Sequence, residues 1–153
     1  MFNIHFTSVG LMVLTLLSSP ASVSAGECEA FPPVCGSVTN NCPERMYVMT
    51  GSDNAFTCNV WNNKGGNTPA PDTPHCNGWI LTQGKSLGGW TLDPATRLDI
   101  DFLTFPDTKY WVEWLFGGGR EINAGTYTKI QDHEHATCNT QGGRPFCTIR
   151  PLI

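Results

Sequence analysis

The chain has 153 residues, a formal charge of −4 and only 14% charged residues. Its nine basic residues are scattered singly and form no stripe, which argues against nucleic-acid binding and against electrostatic adhesion to anionic lipid. No Asn-x-Ser/Thr sequon occurs, so N-linked glycans are not expected.

The N-terminus reads as an export signal. Val9 to Leu17 (VGLMVLTLL) is an apolar core, a short polar stretch follows, and Val23-Ser24-Ala25 offers small residues for cleavage after Ala25. The segment before the core lacks Lys and Arg and relies on His5 and the amino terminus for positive charge. The apolar run is far short of the roughly 20 residues that cross a bilayer. Residues 1–25 are therefore expected to be a signal peptide, and residues 26–153 one secreted, extracellular domain with no membrane insertion.

All seven cysteines follow the signal: Cys28, Cys35, Cys42, Cys58, Cys76, Cys138 and Cys147. In an oxidising compartment they read as a disulfide framework. No Cys-x-x-Cys pair supports a zinc knuckle or a thioredoxin-like site. The odd count predicts three bonds of open connectivity and one unpaired thiol, which leaves a disulfide-linked dimer open.

Sixteen glycines and eleven prolines break the chain into short runs, which favours strands and turns over helices. Residues 26–39 are a Cys- and Pro-bearing lead-in. Arg45 to Thr50 and Phe56 to Trp61 read as strands, residues 62–77 as a polar loop pinned by Cys76, and Gly78 to Thr82 and Gly89 to Leu92 as short strands. From Leu98 the pattern sharpens. Leu98, Ile100 and Phe102 alternate with Arg97, Asp99 and Asp101, and after Pro106-Asp107-Thr108 the residues Tyr110, Val112, Trp114 and Phe116 alternate again. A hairpin with a three-residue loop would place Phe102 opposite Val112 and Ile100 opposite Trp114, with all strong apolar residues on one face. Gly117 to Gly119 ends that hairpin, and Thr126 to Ile130 and Phe146 to Ile149 are further strands. The expected fold is all-β, an antiparallel sandwich or barrel of about eight short strands stapled by disulfides.

Two segments resemble thaumatin-like proteins. Val38-Thr39-Asn40-Asn41-Cys42-Pro43 followed by Tyr47-Val48 is similar to their opening strand. Gly88-Gly89-Trp90-Thr91-Leu92-Asp93-Pro94 followed by Leu98-Asp99-Ile100 is similar to their Gly-Gly-aromatic-x-Leu-x-Pro-Gly turn and next strand. The chain departs from that family in the longer segment bearing Cys58 and Cys76, in Ala95 after the proline, and in having no Arg-Thr-Gly-Cys block. The resemblance implies a β-sandwich, an extracellular defence or antifungal role, and glucan binding in an acidic cleft. As a small, exported, cysteine-rich chain the whole sequence also resembles secreted fungal effectors.

The hairpin register sets Asp101 directly across from Glu113, where facing Cβ atoms lie roughly 4.5–5.5 Å apart. Such like charges require compensation: solvent and a nearby Arg97 or Arg45, a bound cation or basic ligand, or a raised pKa that would make an acid/base pair of the glycosidase kind. Asp99 shares that face, and Trp111 lies on it beside Glu113, an arrangement suited to stacking a sugar ring next to carboxylates. The candidate binding set is therefore Asp99, Asp101, Trp111 and Glu113. In Asp132-His133-Glu134-His135 the two histidines point the same way in an extended segment, so His133 and His135 are an alternative metal pair with His75 as a conceivable third ligand. Gly26 rather than His heads the mature chain, no Gly-x-Ser-x-Gly elbow is present, and a framework of oxidised cysteines argues against a Cys-His protease. No cofactor is expected. The sequence thus predicts a secreted, non-catalytic protein acting on a host, competitor or cell-wall target, its partner an extracellular protein or a cell-wall polysaccharide. The alternative is a carbohydrate-active hydrolase using Asp101 and Glu113.

Overall fold

The computed structural model describes residues 35–51, 60, 78–89 and 98–152. Ten strands lie among the described residues: β1 Ser37–Asn40, β2 Met46–Met49, β3 Gly78–Leu81, β4 Lys85–Gly88, β5 Phe102–Thr104, β6 Tyr110–Trp114, β7 Gly118–Ile122, β8 Thr128–Lys129, β9 Glu134–Gln141 and β10 Arg144–Pro151. None of the described residues is helical. The segment expected to be a signal peptide, the strand expected at Phe56 to Trp61 (Val60 apart), the loop with His75, Trp90 to Arg97, and Cys28, Cys58 and Cys76 lie outside the described residues.

Two sheets form. One has six strands in the order β4-β1-β9-β10-β6-β7, the other four in the order β3-β2-β5-β8. Their facing sides share one core. Val38, Tyr110, Val112, Ala136, Cys138, Cys147 and Ile149 come from the larger sheet, and Met46, Val48, Leu81 and Leu103 from the smaller. This is the all-β sandwich that the alternating pattern and frequent turns predict. The smaller sheet is antiparallel throughout. The larger is mixed, since β1 runs parallel to β9 and β10 parallel to β6.

The mixed sheet arises because successive strands repeatedly change sheets. The hairpin expected between Leu98 to Phe102 and Tyr110 to Phe116 does not form. β5 pairs with β2 and β8 in the smaller sheet, and β6 pairs with β10 and β7 in the larger. Residues 105–109 cross between the sheets. Phe105 and Tyr110 pack at 5.3 Å between ring centres, and the Tyr110 hydroxyl, buried and 2.7 Å from both Thr126 O and Thr128 Oγ1, ties the crossing to the smaller sheet. The alternation also breaks at the start of β5. Ile100 and Leu103 both enter the main core, while Phe102 joins Tyr47, Met49, Val60 and Tyr127 in a second cluster.

β9 and β10 form the most regular unit. Gly142 and Gly143, both at positive φ, make a two-residue turn, and the strands then pair over their full eight residues. Cys138 faces Cys147 in this ladder, and the two are bonded. Cys35 is also in a disulfide, and Cys42 is the free cysteine among the described residues. Cys42 is fully buried, so it is not presented for a disulfide-linked dimer by the folded chain. Burial pushes its thiol pKa up, which keeps it protonated and unreactive.

Candidate functional site

The sequence-predicted set divides between two places. Asp101 belongs to the smaller sheet, where its N–H donates to Met49 O and its carbonyl accepts from Ile130 N. Glu113 lies on β6 of the larger sheet. The facing pair expected from the hairpin register is therefore not assembled. Each carboxylate instead has its own cation: Lys129 Nζ at 3.4 Å from Asp101 and Arg150 at 3.0 Å from Glu113. Asp101, expected to face water, is only 8% exposed, and the Gly51 N–H donates to it as well.

Asp99, Asp101 and Asp132 do come together. One oxygen from each lies within 4.8 Å of the others, and these are the one such group of three metal-ligating side chains among the described residues. The cause is a close backbone approach. The segment at Asp99 and Ile100 runs against Gly36, whose N–H donates to Asp99 Oδ1 at 2.6 Å and whose carbonyl accepts from Ile100 N at 3.0 Å. A Cβ at Gly36 would strike the Ile100 backbone, so glycine is required there. Burial, reinforced by Asp101 and Asp132, pushes the Asp99 carboxyl up to about 6. Oxygen donors of this kind suit a hard cation such as calcium, although Lys129 already neutralises Asp101.

His133 and His135 do not converge as ligands. His135 sits on β9, half-buried, with Nδ1 2.7 Å from Ser37 Oγ and Nε2 3.3 Å from Thr39 Oγ1. Both ring nitrogens are thus engaged by hydroxyls of β1, and burial lowers the pKa of the ring. His133 lies exposed in the preceding turn.

The second place is the outer face of the six-stranded sheet, where Trp111 and Glu113 lie. The register aligns its side chains in rows. One row runs Ser86, Thr39, Thr137, Thr148 and Glu113 and ends at Gly119. The next runs Asn139, Phe146, Trp111 and Glu121. Trp111 and Phe146 sit side by side on parallel strands, their ring centres 6.5 Å apart and their planes within 12°. A Cβ on Gly119 would collide with the indole, so the ring rests against that glycine. The Arg144 guanidinium stands 5.8 Å from the indole centre and pairs with Glu121 at 2.6 Å, while Lys109 reaches the same carboxylate at 3.1 Å. Trp111, Phe146, Arg144, Gln141 and Gly142 together line a shallow depression of about 480 Å³.

Sequence reasoning identified Trp111 and Glu113 on this face and missed Phe146, Arg144, Gln141 and the threonine row. The signal was present in the alternation of Ala136 and Cys138 with Thr137 and Asn139, and of Cys147 and Ile149 with Phe146 and Thr148, around a Gly-Gly turn. Chemically the face offers two parallel aromatic rings with hydrogen-bond donors and acceptors around them, and no nucleophile or acid/base pair is assembled there among the described residues. No protein-family model, curated protein or solved structure matches the chain.

Proposed function

We propose that this chain is an exported, non-catalytic binding protein that engages an extracellular target on a host, a competitor or a cell wall through the outer face of its six-stranded sheet. One observation carries the reading: Trp111 and Phe146, partly buried on adjacent strands, share a depression with the polar side chains of Arg144 and Gln141. Ligand sites typically pair an apolar surface with a few placed polar groups. Export is supported by the apolar segment and small-residue site before Gly26, and by a disulfide framework of the kind that persists outside the cytosol. The hydrolase alternative has less support, because Asp101 and Glu113 belong to different sheets and each is paired with a cation. The thaumatin-like resemblance is compatible with a two-sheet sandwich and enters the proposal only at that level. No helix among the described residues is long and apolar enough to cross a membrane.

The test is depletion from solution by isolated plant and fungal cell walls, run beside a reducing-sugar assay. Wild type is expected to sediment with at least one wall preparation, Trp111→Ala to stay in the supernatant, and no sugar to be released. Undiminished sedimentation of Trp111→Ala would contradict the reading. Sugar release abolished in both Asp101→Asn and Glu113→Gln would replace it with the hydrolase.

A further inference from the structure

We infer that the depression at Trp111 and Phe146 is a subsite for a neutral, β-linked glycan chain, an assignment that rests on the binding-face reading above. Three features select this ligand chemistry. The first is the platform. Gly119 lets the indole lie against the sheet, and Phe146 on the neighbouring strand holds its ring nearly parallel to it, 6.5 Å away. A pyranose whose hydroxyls are equatorial has a flat C–H face that fits such a surface and buries apolar area on it.

The second is the rim. Arg144 and Gln141 offer N–H donors, and Gln141 and Glu121 offer oxygen acceptors. A sugar hydroxyl both donates and accepts, so it pairs with either kind. The adjacent row supplies hydroxyls on three neighbouring strands, from Thr39, Thr137 and Thr148, with Thr39 bonded onward to Ser86 at 2.8 Å. A chain lying across the strands therefore meets hydroxyls beyond the first ring.

The third is charge. Arg144 and Lys109 both pair with Glu121, and Arg150 pairs with Glu113. An anionic ligand would have to compete with Glu121 for Arg144. An uncharged polyhydroxylated ligand uses the remaining N–H groups of the guanidinium and leaves these pairs in place. Charge complementarity thus favours a neutral glycan over a uronate chain or an acidic peptide.

Calorimetric titration of the secreted protein with cellohexaose, chitohexaose, laminarihexaose and polygalacturonate, at low and high salt, tests the assignment. At least one neutral hexasaccharide is expected to bind with little salt dependence. Trp111→Ala and Phe146→Ala should each weaken that binding roughly tenfold, the scale of one buried aromatic contact, with melting temperatures close to wild type. The exposed Gln141→Ala, which leaves the platform in place, should weaken it less. Binding of polygalacturonate alone, lost at high salt and lost in Trp111→Ala, would overturn the neutral assignment while leaving the face as the binding surface. So would inert sugars together with a purified protein ligand whose binding needs Trp111. Neutral-glycan binding indifferent to both aromatic variants would overturn the assignment and the face reading together.

Discussion

Asp99 shows how one buried side chain couples the fold to pH. Its carboxyl is held near 6 by burial beside Asp101 and Asp132, against about 3.9 for an unstrained aspartate. The folded state therefore prefers the protonated form. The stability this group contributes is complete below about pH 4 and is lost as the pH rises through about 6. Asp99→Asn keeps an oxygen to accept from Gly36 N–H and removes the charge. Melting temperatures measured from pH 4 to pH 7 should fall for wild type relative to the variant, and parallel curves would show that the carboxyl titrates normally. The sequence placed Asp99 and Asp101 on a solvated strand face. Their burial comes from Gly36 and Met49, both more than 50 residues upstream, and local alternation carries no information about such partners.

At the scale of elements, the β9–β10 hairpin and the β5–β6 crossing differ in how far sequence determines them. Gly142-Gly143 between two alternating runs defines a two-residue turn, and counting outward from it puts Cys138 opposite Cys147, as observed. That pairing is legible in the sequence. The bond closes a short loop, with a sequence separation of 9. Replacing both cysteines by serine is expected to cost about 2–3 kcal/mol by the loop-entropy relation. Urea unfolding of the double variant measures this, and an unchanged midpoint would mean that the hairpin is held without the bond. The β5–β6 connection was read as the same kind of hairpin and is not one. Alternation says which residues of a strand face the core. It does not say whether the next strand pairs beside it or lies across the core in the other sheet, since the inward residues of both meet in either case. Phe105 and Tyr110, fully buried at the two ends of the connection, mark the crossing.

On the scale of the whole molecule, the sandwich and the presence of disulfide bonds are readable from turn frequency, strand composition and cysteine content. The division of the candidate site was not, because it depends on which sheet each strand joins. Once Asp101 falls in the smaller sheet and Glu113 in the larger, the acidic residues separate into a half-buried cluster beside Gly36 and a paired carboxylate on an open face. Trp111 stays on the outer face with Glu113, but with Phe146, Arg144 and Gln141 as neighbours rather than Asp101. The central claim is that ligand contacts fall on this outer face. Backbone amide shifts of the labelled protein, followed by NMR during titration with the glycan that binds best, test it most directly. The account predicts perturbations clustered at Trp111, Asn139, Gln141, Arg144, Phe146 and Thr148. Perturbations clustered instead at Asp99, Asp101 and Asp132, with the outer face silent, would contradict it.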